Sequence, residues 1–210
     1  MSDHASTLSA PPTPSLTPEE QRTLLDTAEE AIRARLERRD PDFAALGSLP
    51  ARLAERLASF VTLREGPQLL GCIGTIEPYR PLITDVAENA QAAAFHDPRL
   101  PALRPDQFEW MTLKVSVLSQ LVPMPVHDHA ELAAAIEPGV DGLYITAGRY
   151  RGTFLPSVWE QMRSTREFVG MLWQKAGLPV GVWPAGLRIY RYRTLEFGSD
   201  GPRPSIKPPA

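Results

Sequence analysis

Fifteen of this chain's 22 prolines lie between residues 17 and 197, in the same stretch that carries the apolar periodicity of a core. Proline has no amide donor for a helix interior or a central strand, so each one ends or interrupts an element. A bundle of long helices is thereby excluded, and the fold must be assembled from many short, punctuated elements.

Between the prolines two hydrophobic periods alternate. "LTPEE" reads as a helix start, with Thr17 as cap, Pro18 in the first helical position and Glu20 closing a capping box. Leu25, Ala28, Ile32 and Leu36 then recur at helical spacing through about Arg38. A shorter helix is expected over "PARLAERLASF". The period changes to two in "FVTLR" and "LLGCIGT", which read as a hairpin around Gly66 and Pro67. "PLITDVAENAQAAAF" returns to helical spacing through Leu82, Val86, Ala90 and Ala93, with an alanine-rich side suited to packing on a sheet. "MTLKVSVL" alternates Leu113, Val115 and Val117 with Lys114 and Ser116, as a strand with one buried face does. A helix capped at Asp128, a hairpin turning at "AGRY", a helical segment over 157–177 ended by Gly177, and a closing strand "LRIYRYRTLEF" complete the series. Hairpin-paired strands with helices between them predict an α+β fold with a mostly antiparallel sheet. Residues 1–16 and 198–210 offer little apolar area to offset ordering entropy, so both read as flexible tails around a single domain at 17–197.

Charge narrows the function classes. Twenty-two Lys and Arg against 25 Asp and Glu give a formal net charge of −3, which supplies no field for phosphates or an anionic membrane surface. Nucleic acid is not an expected partner. The single cysteine excludes an internal disulfide, and the first residues lack the basic and then apolar segments of a secretory signal, so a cytoplasmic location is expected. No apolar run approaches the roughly 20 residues of a membrane-spanning helix.

Six stretches stand in one order: "LLGCIGT" at 69–75, "AAFHDPRLPAL" at 93–103, "VSVLSQLVPM" at 115–124, "GVDGL" at 139–143, "RGTFLPSVWEQM" at 151–162 and "LPVGVWPAGLRIYRY" at 178–192. Together they resemble the AMMECR domain family, over roughly residues 20–197. The resemblance implies an α+β fold in two lobes with a cleft between them, and a molecular function that is not settled. It also implies company: family members of the AmmeMemoRadiSam system are encoded beside a Memo-like, dioxygenase-related protein and a radical S-adenosylmethionine protein. Two positions depart from the family pattern. Leu70 stands where Arg is usual, and Ser157 where Gln is usual.

Cys72 is the candidate nucleophile. In a regular strand, residues 70, 72 and 74 share a face, so the family's Arg would stand beside the thiol and favour the thiolate. Leu70 removes that cation, unless Arg80, Arg149 or Arg151 approaches through the fold. The plainer reading makes Cys72 a small packing residue, with Gly71 and Gly74 permitting close approach of backbone or helix. A ligand-lining role is the third. Arg151 and Thr153 in "RYRGTFLP" suit recognition of a small anionic molecule, the guanidinium as a planar donor and the hydroxyl orienting a second oxygen, and Thr75 is a further ligand-binding candidate. "HDH" at 127–129 reads as a helix cap and not a metal site, because no second cluster completes a ligand set. His96 reads as a helix-end histidine. Trp159, Trp173 and Trp183 read as packing residues whose indole N–H groups need partners. No cofactor motif is present, since the glycines match neither the phosphate-loop nor the dinucleotide fingerprint. The favoured reading is an accessory or binding protein with a small-molecule ligand or a partner segment in its cleft. The alternative is an enzyme acting on a small anionic or modified metabolite, with Cys72 at its centre.

Overall fold

The computed structural model describes residues 10–46 and 50–206. In chain order the elements are α1 (Pro18–Leu36), β1 (Ser59–Glu65), β2 (Gln68–Gly74), α2 (Leu82–Phe95), α3 (Pro105–Trp110), β3 (Thr112–Leu118), β4 (Val122–Pro123), α4 (His129–Ala135), β5 (Gly142–Ala147), β6 (Tyr150–Phe154), α5 (Thr165–Ala176), β7 (Arg188–Tyr192) and β8 (Thr194–Ser199). Short 3-10 turns lie at Phe43–Leu46, Ala51–Ala54 and Pro156–Gln161. The described strands form two four-stranded sheets, ordered β2-β1-β3-β8 and β4-β7-β5-β6. Pairing is antiparallel between β1 and both β2 and β3, and between β7 and β4, β5 and β6, and β5 and β7. The fold is therefore α+β, and the chain divides into two compact units, each with its own sheet and core. No helix among the described residues is long and apolar enough to cross a membrane.

The first unit comprises Ser15–Leu118 and the chain from Leu195. Its first helix begins at the expected capping box: the Thr17 amide donates to Glu20 Oε2 at 2.8 Å and the Glu20 amide to Thr17 Oγ1 at 3.2 Å. Leu24, Ala28, Ala31 and Ile32 are fully buried, while Leu25 and Leu36 flank that stripe. The core joins α1 and α2 to Val61 and Leu63 of β1 and to Leu113, Val115 and Val117 of β3. The helix expected over 50–60 is not formed. Only Ala51–Ala54 makes a 3-10 turn, because Arg56 bridges Pro81 and Ser59 is drawn into β1 opposite Val117.

The tail expected at 198–210 also needs correction for its described part. Ser199 ends β8, and Arg203, only 6% exposed, is held by Glu29 Oε2 at 2.9 Å, Ser199 Oγ at 2.7 Å, and the carbonyl of Met111. Ile206 packs against the core. Long-range bonds invisible to composition, those of Arg203 together with Arg33 to the Pro204 carbonyl and Ser205 to Glu109, fix a segment whose residues are otherwise poor in apolar area. Of the other tail, residues 1–9 lie outside the described residues, and Leu16 already packs on the core.

The second unit is built on Ser119–Thr194. Gly148 turns the β5–β6 hairpin at φ 58° and Gly177 ends α5 at φ 78°, both in the left-handed region that glycine enters freely. The helical segment expected over 157–177 is split. A 3-10 turn runs to Gln161, and Ser164 caps a separate helix by accepting from the Glu167 amide at 3.2 Å. Trp159 stacks on Phe168 at 3.8 Å between ring centroids, and the indoles of Trp159 and Trp173 donate to the carbonyls of Asp141 and Val182. The expected closing strand is likewise two strands in two sheets. Its alternation breaks at Arg193, whose amide donates to Ser119 Oγ at 2.9 Å and whose carbonyl accepts from the Ser119 amide at 2.8 Å.

Candidate functional site

Cys72 lies on β2, an edge strand of the first sheet. The pairing of β2 with β1 is not regular. Leu63 faces Gly71 and Arg64 faces Leu69, so Leu70 has no partner and forms a β-bulge. The bulge resets the alternation. Leu70 turns into the core, 6% exposed, among Val61 and Leu63, whereas Cys72 faces Thr62 on the other side of the sheet. The expectation that residues 70 and 72 share a face is thus overturned, and with it the inference that an arginine at 70 would stand beside this thiol. The thiol is half-buried and accepts from Thr62 Oγ1 at 3.3 Å.

Both glycines flanking Cys72 are required by close approach, as expected. A Cβ at Gly71 would overlap the carbonyl of Ala93 on α2, and one at Gly74 would overlap the Phe60 ring.

A cation does reach Cys72, but from a residue the sequence reading did not single out. The Cys72 amide donates to Asp97 Oδ2 at 3.0 Å, and Arg99 Nη2 donates to the Cys72 carbonyl at 3.1 Å. Both peptide groups of Cys72 thus point away from β1, which makes Cys72–Thr62 a non-hydrogen-bonded pair with side chains close together. Asp97 and Arg99 also bind each other through Nε to Oδ1 at 2.8 Å and Nη2 to Oδ2 at 2.6 Å. The Asp97 side chain is 2% exposed and that of Arg99 is 57% exposed. Hydrogen bonds from Arg99, together with the Cys72 and Arg99 amides, hold the Asp97 carboxyl well below the usual carboxylate range against the opposing effect of burial. Arg99 is raised in turn, chiefly by Asp97, with a small contribution from Cys72. What meets the Cys72 peptide is therefore an ion pair, not a bare guanidinium.

Thr75 leads into a second cluster of the same unit. Asp85, 1% exposed on α2, accepts from the Ser59 amide at 2.8 Å, Ser59 Oγ at 2.6 Å, Arg80 Nε at 2.8 Å and Asn89 Nδ2 at 2.9 Å, and also from the Thr75 hydroxyl. Arg80 further pairs with Glu88 and donates to Asn89 Oδ1 at 3.3 Å. The Thr75 hydroxyl and the Arg80 guanidinium are both committed to buried acceptors. Asp85 and Asn89 carried a signal that was passed over: they are polar residues four apart on the stripe defined by Leu82, Val86, Ala90 and Ala93, where a polar side chain must be buried with partners.

Arg151 and Thr153 belong to the other unit, on the edge strand β6. Arg151 is exposed, opposite Thr146. Thr153 Oγ1 donates to the Leu143 carbonyl at 2.8 Å and lies 2.6 Å from the Tyr192 hydroxyl, so it is engaged within its own sheet. Arg149 lies over the Tyr150 ring. In "HDH", Asp128 caps α4 by accepting from the Ala130 and Glu131 amides, each at 2.8 Å, and His129 packs against Trp173 and Trp183. His96 caps the C-terminus of α2.

The AMMECR1 family model matches residues 25–197. A protein of Methanothermobacter thermautotrophicus is 36% identical over 188 residues, which cover 89% of this chain and 97% of that protein. Protein MJ0810 of Methanocaldococcus jannaschii is 37% identical over 163 residues, 76% of this chain and 81% of that one. The crystal structure of the uncharacterized protein PH0010 from Pyrococcus horikoshii is similar with a TM-score of 0.80 at 28% identity, covering 91% of this chain and 97% of its own.

Proposed function

We propose, from the premise that this chain belongs to the AMMECR1 family, that it is an accessory or binding protein. It acts with a Memo-like, dioxygenase-related protein and a radical S-adenosylmethionine protein, and its candidate binding positions are those at Cys72, Thr75, Arg151 and Thr153. One observation carries this reading: the polar groups at Cys72, Thr75 and Thr153 are held in hydrogen-bond networks within the fold. Thr75 and Arg80 serve Asp85, Asp97 serves the Cys72 amide and Arg99, and Thr153 serves the Leu143 carbonyl. Such networks rigidify a surface for recognition, whereas general acid–base catalysis needs a group poised to exchange a proton near the working pH. Affinity purification of the natively expressed protein, from cells that encode both proposed partners, tests it. Co-purification of at least one partner is the expected result, and its failure in the presence and absence of candidate metabolites overturns the reading.

The alternative, an enzyme with Cys72 as nucleophile, draws on the contact of Arg99 with the Cys72 carbonyl. Alkylation rate against pH separates the two. An activated nucleophile labels rapidly on the acid side of the ordinary thiol range, and a packing thiol follows the profile of free cysteine or resists labelling.

A further inference from the structure

Two features have no part in the sites above: the aspartate of "GVDGL", Asp141, and the arginines Arg191 and Arg193 of the closing strand. They meet in the second unit. Arg191 Nη1 lies 3.6 Å from Asp141 Oδ2, and Arg193 Nη2 donates to Glu137 Oε2 at 2.9 Å. Glu137 links the two pairs, because its own amide donates to Asp141 Oδ2 at 3.0 Å. Asp141 is fully buried at 0% exposure. Its amide donates to the Glu137 carbonyl at 3.0 Å, and its carbonyl accepts the Trp159 indole at 2.8 Å. Two buried side-chain atoms of the cluster remain without a partner among the described residues, Asp141 Oδ1 and Arg193 Nε.

A buried carboxylate oxygen without a donor is costly, and so is a buried guanidinium N–H without an acceptor. The charges decide what can satisfy both. An anion would be repelled by Asp141 Oδ1, and a cation by Arg193. A neutral species that donates and accepts at once suits both atoms, and the burial of both atoms limits its size. Water meets these conditions. We propose that a single internal water molecule is bound between Asp141 Oδ1 and Arg193 Nε, tying the turn before β5 to the end of β7. This gives the aspartate of "GVDGL" a role that a hydrophobic residue cannot fill.

The test is a crystal structure of the protein at a resolution that orders internal water, paired with magnetic relaxation dispersion of solvent water to count long-lived waters. One ordered water within hydrogen-bond distance of both atoms, about 2.7–3.2 Å, is expected. Asp141→Asn should retain it, since the amide still offers polar partners, and Asp141→Leu should lower the long-lived count by one. Asp141 Oδ1 bonded directly to a guanidinium N–H with no water between them, or a water touching only one of the two atoms, overturns the proposal. Should Asp141→Leu fail to fold, the wild-type structure and its dispersion profile still decide.

Discussion

Replacing Leu70 by Arg tests the bulge on which the geometry of Cys72 depends. In an unbulged strand the new guanidinium would stand on the thiol's face, two residues away, or about 7 Å along the chain. At an effective dielectric of about 20, that separation favours the thiolate by about 2.4 kcal/mol, on the order of fiftyfold in thiolate population. Alkylation below the ordinary thiol range would accelerate by a comparable factor. The bulge predicts otherwise. Leu70 is 6% exposed within the core, so the substitution removes a buried leucine, a loss in the range of about 2–5 kcal/mol for truncation to Ala. The aliphatic stem of Arg recovers part of that, and its head can reach solvent past the edge strand. A net loss of about 2–4 kcal/mol is expected, or roughly 10 °C in Tm at about 2–4 °C per kcal/mol for a chain of this size. The iodoacetamide rate should change by only a few fold, since the cation lies across the sheet from the thiol with its head in solvent, where the interaction is screened. Thermal unfolding by circular dichroism and alkylation followed by mass spectrometry read the two quantities, with Leu70→Ala as the packing control. A variant as stable as wild type that is alkylated tens of times faster would refute the bulged register.

Arg203→Met removes the guanidinium that donates to the Met111 carbonyl and to Glu29 Oε2 and so ties down the C-terminal strap. Arg203 is buried but Glu29 is partly exposed, so a loss of about 1–3 kcal/mol is expected, chiefly from the orphaned Met111 carbonyl, and an unchanged urea midpoint would show that the strap is not anchored by this residue. Gly71→Ala forces a methyl group into the Ala93 carbonyl, and a loss of about 1–3 kcal/mol is expected from such overpacking; urea unfolding within about 0.5 kcal/mol of wild type would contradict that contact. Asp97 binds its proton more weakly in the folded state, because Arg99 holds its carboxyl down. Its contribution is fully present above the unfolded carboxylate value of about 3.9 and is lost as pH falls through the lower folded value. Asp97→Asn should therefore flatten the acid limb of the stability profile, and an unaltered limb would refute the pairing.

Local signals were legible in the sequence where one short stretch determined the outcome. "LTPEE" contains both halves of its capping box, and the alternation of "MTLKVSVL" is that of β3. Readings failed where a distant residue made the decision. "LRIYRYRTLEF" reads as one closing strand, yet Ser119, far away in sequence, binds the Arg193 peptide and divides it between two sheets. Composition made 198–210 a tail, while Glu29 and Met111 made its described part a strap. Even Ser116, placed by alternation on the polar side of β3, is fully buried, because Glu196 on β8 accepts its hydroxyl at 3.0 Å.

The bulge was illegible for a different reason: it changes no residue type. Leu70 suits a strand in either register, and only the pairing with β1 shows that it is the extra residue. Its consequence reaches beyond one side chain. The bulge directs Leu70 into the core and leaves the outward peptide groups of Cys72 on an open edge. Open edges invite pairing with another strand and are usually blocked. Here Asp97 and Arg99 block it, capping the amide and the carbonyl of Cys72 with the two ends of one ion pair. The charged groups bound to the Cys72 peptide therefore come from the connection after α2, not from its own strand. It follows that Asp97 and Arg99 must be altered separately: Asp97→Asn would leave a guanidinium uncompensated beside Cys72 and raise its alkylation rate, whereas Arg99→Gln would leave a buried carboxylate there and lower it.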